Sequence, residues 1–247
     1  RGDSQRRRPR PRRGARAPCQ AEAGGLDREQ RLHIVCYRTP SPAVPDPPVL
    51  RLTLRDGRPV ALRPIEPADR DRLATGFDAL STASRRLRFL GSVSNLSEAH
   101  LSYLTEVDGH DHVAWGALDL TDPALPGFGV GRFIRLGKTE GLDTVAEFSL
   151  TVLDSAQGHG VGQLLLAVLA VVAPSVGVET LRGVVAQDND RMLRWLRRLG
   201  AVAIGSAEEE TLDLPLPVDP SVSDSAAAFV DTMERIRAEM RASERKG

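Results

Sequence analysis

Cysteine is nearly missing from this 247-residue chain, and the two that occur, Cys19 and Cys36, both precede the region that reads as folded. A disulfide framework, a cysteine-based zinc site and a thiol nucleophile are therefore excluded from the folded part. Aromatic residues are scarce at 4%, and the only tyrosines are Tyr37 and Tyr103. No uncharged apolar run approaches the ~18 residues that a membrane span needs. The longest, Leu164 to Ala173, is cut by Pro174. No apolar stretch follows the N-terminal arginines as a signal peptide would require, so a cytoplasmic location is expected, without membrane contact.

Net charge is absent too, with 33 basic and 33 acidic residues, but the balance is uneven. Residues 1–50 hold eleven arginines against five acids, which leaves 22 basic and 28 acidic groups in the rest. The leader "RGDSQRRRPRPRRGARAP" offers no aromatic residue for stacking and no apolar stripe, and a Pro-rich stretch follows it. Composition of this kind predicts a disordered segment over residues 1–49. Nucleic-acid binding through it is the less favoured alternative.

The folded region is expected over residues 50–216, with a C-terminal linker and helix over 217–247. "PVALRPI" alternates as a strand. Glu66 to Leu80, Ser81 to Gly91 and Leu96 to Asp108 read as helices, the last with Ser97 as N-cap. His112 to Leu120, Phe128 to Leu136 and Thr144 to Asp154 read as an antiparallel meander. Helix (Gly162 to Ala173), strand (Leu181 to Ala186), helix (Asn189 to Leu199) and a final strand or pair (Ala201 to Leu214) follow. The fold class is therefore mixed α/β, with a mostly antiparallel sheet flanked by helices. In the tail, Phe229, Met233, Ile236 and Met240 form a helical seam, fit for packing on its own domain or for a homodimer contact.

The stretch "QGHGVG", Gln157 to Gly162, opens an apolar helix directly after a strand. A P-loop would need a lysine, which is absent. A dinucleotide fingerprint fails at Gln163 and belongs in the first turn of a parallel fold. The pattern Q/R-x-x-G-x-G/A is met by Gln157, Gly160 and Gly162. Glycines there let main-chain amides approach a pyrophosphate, and the helix start adds its positive dipole end.

With "AEFSLTV" before it and "LRGVVA" and "DNDRMLRWLRRLGA" after it, the segment resembles the acetyl-CoA-binding half of the GNAT N-acetyltransferases. Asn189, Met192, Leu199 and Gly200 match the last helix. "VALRPIEPAD", "LSTASRRLRFLG", "LTEVDGHDHVA" and "AEFSLTV" together are most similar to bacterial protein-lysine acetyltransferases. The resemblance spans about Leu50 to Pro215. It implies the GNAT fold, with acetyl-CoA as cosubstrate wedged between the Thr144–Val152 and Leu181–Ala186 strands.

The resemblance implies Glu147 as general base, and alternation puts it with Ser149 and Thr151 on one strand face; a merely solvated strand glutamate is the alternative. Main-chain groups of Leu150, Thr151 and Val152 would receive the pantetheine arm, one of them stabilising the oxyanion. Gln157, Gly158, His159, Gly160, Val161 and Gly162 would hold the pyrophosphate. Asn189 is an N-cap, a CoA contact, or both. Where many GNAT enzymes carry a tyrosine acid, this chain has Leu196. His100, His110 and His112 lack the clustering of a metal site, so no metal is expected. Arginines in "SRRLR" (Ser84 to Arg88) fall in the region that lines the acceptor groove in this fold, as a solvated face or as anion contacts.

Two classes of function remain: acetyl transfer to a primary amine, preferably protein lysine over a small amine such as an aminoglycoside or polyamine, or acyl-CoA sensing without turnover. Some related lysine acetyltransferases carry a cyclic-nucleotide-binding domain or an acyl-CoA synthetase. Fifty Arg- and Pro-rich residues are not expected to build either one.

Overall fold

The computed structural model describes residues 49–89, 95–122, 126–137, 142–206 and 209–245; the expected leader lies outside them. The described residues belong to one compact unit. Its centre is an eight-stranded sheet in the order β1-β2-β3-β4-β5-β6-β8-β7. The strands are β1 (Leu50–Thr53), β2 (Pro59–Pro64), β3 (His112–Asp119), β4 (Gly129–Arg135), β5 (Val145–Val152), β6 (Thr180–Ala186), β7 (Val202–Ser206) and β8 (Glu209–Pro215). Every neighbouring pair is antiparallel except β5 and β6. The meander expected from the sequence is β3-β4-β5. The edge strand β1 was not anticipated, because four residues are too few to show a period.

Helices α1 (Arg70–Asp78), α2 (Thr82–Phe89) and α3 (Glu98–Thr105) connect β2 to β3, α4 (Val161–Val172) connects β5 to β6, α5 (Asp190–Arg198) follows β6, and α6 (Asp224–Glu244) ends the chain. The single helix expected from Glu66 to Leu80 is split into a 3₁₀ turn at Pro67–Asp69 and α1. Asp69 causes the split: its carboxylate accepts from the Glu66 amide and from Arg63, which pins the first turn to β2. Ser97 caps α3 as expected, accepting from the His100 amide.

Helix α4 is apolar almost all round, and Leu164 to Ala170 are buried without a break. A helix of that kind needs cover on two sides. The sheet supplies one: a Cβ at Gly131 would meet Leu150, Leu165 and Leu169. The other is α6, whose Phe229, Met233 and Ile236 are buried. Alternation in β5 therefore turns Leu150 toward α4, and Glu147, Ser149 and Thr151 toward the opposite face, where α2 lies.

Candidate active site

The parallel ladder between β5 and β6 is short. It runs from Val145↔Thr180 to Phe148↔Gly183 and stops. Beyond it β6 stays paired with β8 to Ala186, while β5 continues to Val152 against β4. The two strands part there, leaving a gap at the middle of the sheet. Leu153 donates its amide to the Phe128 carbonyl, so residues in step with Leu153 turn their main chain to β4. Thr151 is one of these. Leu150 and Val152 turn theirs to the side that β6 has left.

The glycine loop closes one end of this gap. Gly160 is the N-cap of α4 at φ 96°, a left-handed conformation that a side chain would strain. The first intrahelical bond runs from the Leu164 amide to the Gly160 carbonyl. The amides of Val161, Gly162 and Gln163 precede it and have no intrahelical acceptor. Gly158 has φ 84°, and a Cβ placed on it would lie 3.9 Å from Arg191 Nη2. Gln157 folds back beneath the loop, donating to the Val152 carbonyl at 3.3 Å and to Ser84 Oγ at 3.2 Å. His159 Nδ1 lies 2.9 Å from Asp56 Oδ2, and the Arg55 amide donates to the His159 carbonyl. Arg55 also packs on Gly160 and donates to Gln163 Oε1. Asn189 caps α5, accepting from the Met192 amide at 3.2 Å.

Asp154 binds the loop to α2. Its carboxylate accepts from the Ser81 amide, the Ser81 hydroxyl and the Ser84 hydroxyl, all within 2.9 Å. Those bonds, the Ser81 amide first, hold Asp154 below the ordinary carboxylate range.

On the α2 face the sheet and helices α1–α3 enclose a cleft of about 590 Å³, counting its solvent-open mouth. Arg88 reaches Thr151 Oγ1 through Nε at 2.9 Å. Arg132, opposite Ser149 on β4, is 5% exposed and donates through Nη1 to the Leu104 carbonyl. The same nitrogen meets His112 Nε2 at 3.1 Å, and Tyr103 packs on the His112 ring with centroids 5.0 Å apart. Burial lowers Arg88 to about 10 and Arg132 to about 9. Burial, then Arg132, pushes His112 down to about 3, so the imidazole is neutral and accepts from the guanidinium.

Glu147 sits between two cations. Its carboxylate favours the charged forms of Arg88 and of Arg182, its neighbour in the parallel register. Leu196 is fully buried beside Gly183. The other arginines of "SRRLR" divide: Arg85 stacks over Phe77 at 4.5 Å, and Arg86 pairs with Asp188. Among the described residues no group of histidines, cysteines and carboxylates could hold a metal ion. Arg55, Asp56, Arg191 and Arg132 escaped the sequence reading. Only the sheet order brings the β1–β2 turn beside a loop a hundred residues away.

Residues 60–202 match the family model described as "Acetyltransferase (GNAT) domain". The chain is 36% identical over 178 residues to acetyltransferase Pat of Mycolicibacterium smegmatis, covering 72% of this chain and 49% of that protein. It thus spans about half the length of that relative. An acetyltransferase of Pseudomonas aeruginosa is 31% identical over 159 residues, 64% of this chain and 83% of that protein. Among solved structures, the GNAT domain of S. lividans PAT superposes with a TM-score of 0.62 at 26% identity, covering 68% of this chain and 97% of that one.

Proposed function

The chain belongs to the GNAT acetyltransferase family, and from that premise we propose that it transfers an acetyl group from acetyl-CoA to a primary amine, with protein lysine as acceptor and Glu147 as general base. The observation that carries the reading is the early end of the β5–β6 ladder beside a loop of free helix-start amides. The gap accepts an extended pantetheine arm as an added strand on Leu150 and Val152, while the amides from Gly158 to Gly162 take the pyrophosphate. Arg55 and Arg191, beside those glycines, supply positive charge that the loop itself lacks. Thr151 contributes its hydroxyl to Arg88, not its main chain to the arm. Gln157 braces the loop from below, and Asn189 sets the start of α5.

The chemistry follows from the amine's basicity. A lysine ammonium has a pKa of about 10.4, so near pH 7 only about one in a thousand is nucleophilic. Glu147 takes that proton, directly or through water, as the nitrogen attacks the thioester carbonyl. The developing oxyanion faces the main-chain amides on the open edge of β5. The carbon–sulfur bond then breaks, and the thiolate takes a proton from water, since Leu196 offers none. A thiol of pKa about 8.5 is a fair leaving group without further help. Protein lysine is favoured as acceptor by the segments that resemble bacterial protein-lysine acetyltransferases.

Glu147→Gln tests this reading. Turnover with acetyl-CoA is expected to fall at least tenfold while the dissociation constant for acetyl-CoA, by calorimetry, stays within twofold. Unchanged turnover removes Glu147 from the mechanism. Leu196 in place of a tyrosine also suits a module that senses acyl-CoA. A thermal shift with acetyl-CoA, but no transfer to any amine, selects that second reading.

A further inference from the structure

The cleft on the α2 face is lined by three arginines, Arg72, Arg88 and Arg132, and by no acidic residue. Arg72 lies 3.8 Å from Asp69, which offsets part of its charge. Arg132 has no such partner: among the described residues no ion pair joins it to a carboxylate, and the hydrogen bonds it makes, to Leu104 and His112, both run through Nη1. It is nevertheless 5% exposed. Burying a cation without a counter-ion is costly, and the usual compensation is an anion. The side chain it meets, His112, is neutral and returns no charge.

Arg88 reaches the same space from α2, so two guanidiniums converge over the Thr151 end of β5. Arg88 is near enough to disfavour the charge of Arg132, whereas Glu147 favours that of Arg88. A planar carboxylate between two guanidinium forks satisfies this geometry, with charge-assisted bonds to both. The CoA phosphates do not: the glycine loop that would hold them stands at the gap between β5 and β6, and β4, which carries Arg132, lies on the far side of β5 from that gap.

We propose that Arg88 and Arg132 bind a carboxylate carried by the acceptor, so that the molecule presenting its amine to Glu147 bears an acid group several bonds away. This rests on the acetyl-transfer reading of the same site and names its substrate class. Spacing supports it. Arg132 is in register with Ser149, two residues and thus about 7 Å along the strand from Glu147. A lysine spans such a distance between its own amine and carboxylate, and so does a peptide lysine beside an aspartate.

Calorimetry with CoA present tests the proposal on two pairs of probes: L-lysine against L-lysinamide, and the end-blocked peptide Ala-Lys-Asp-Ala against Ala-Lys-Asn-Ala. In at least one pair the acid-bearing probe is expected to bind at least tenfold more tightly. The pair that shows the gap distinguishes a free amino acid from an acidic peptide. Arg132→Gln is expected to shrink the ratio below threefold with CoA affinity within twofold, and Arg132→Lys to retain part of it. Equal binding within both pairs in the wild-type protein overturns the proposal, and that result requires no variant to fold. Acetyl transfer to the same four probes is scored separately: its absence counts against the catalytic reading, while the binding ratio alone decides the carboxylate.

Discussion

His112 shows how one side chain can set the acid limit of the fold. Its Nε2 must accept from Arg132, and burial holds the imidazole down to about 3, against an ordinary value near 6.5. Between those values the unfolded chain binds a proton that the folded chain refuses. Stability from this residue is complete above about pH 6.5 and is lost as pH falls toward 3, by about 1 kcal/mol per pH unit. Asp154, lowered by its serine partners, acts in a separate and lower window, below the usual carboxylate value of about 3.9. His112→Gln keeps an acceptor and removes the titration. Urea unfolding from pH 7 to 5 is expected to show a flatter loss of stability in the variant, by about 1 kcal/mol per pH unit. An identical slope in both proteins would assign the acid response elsewhere.

At the scale of elements, the glycine loop depends on what its neighbours give it. Asp154 ties α2 to the strand end through three bonds, and Gln157 reaches the same Ser84 hydroxyl from the other side. Asp154→Ala removes the three bonds and leaves Ser84 held to the loop by Gln157 alone. The site is exposed, so the expected stability loss is about 1 kcal/mol, below the usual range for bonds to a charged group. The larger effect is expected on ligand: a several-fold weaker acetyl-CoA affinity by calorimetry, with the Glu147-dependent step intact. Unchanged affinity would show that α2 does not steady the loop. Much of this element was legible in the sequence. Glycines clustered before an apolar run signal exposed main chain, and Asn189 before a polar-apolar helix signals a cap. Arg55 and Asp56 were not legible, because two residues in a hairpin turn carry no pattern and meet the loop only through sheet order. Nor was Arg132, which alternates on its strand as a solvent-facing arginine would. Its burial comes from α3 lying across the sheet, a tertiary event that leaves no local mark.

For the whole molecule, α4 is the element everything else leans on. Its N-terminus forms the loop, its middle fills the sheet's core face, and its far side is covered by α6. The seam of Phe229, Met233, Ile236 and Met240 could be read in the sequence, but its partner could not, since α4 shows no polar face to indicate a second contact. Phe229 is fully buried and meets Trp195 edge-on at 6.4 Å, so it joins α6 to α5 as well. Phe229→Ala removes a buried ring where rigid neighbours on both sides limit collapse, and a loss of about 3–5 kcal/mol is expected by urea unfolding. The first turn of α4, next to the loop, has its own link to α6, from Gln163 Nε2 to Thr232 Oγ1 at 2.8 Å, one turn from Phe229. If α6 serves the site only by covering α4, Phe229→Ala leaves acetyl-CoA affinity within about threefold at temperatures where the variant is folded, below the ~1.4 kcal/mol that a tenfold change represents. A tenfold or greater loss of affinity in the still-folded variant would mean that the last helix positions the phosphate loop as well as covering the core.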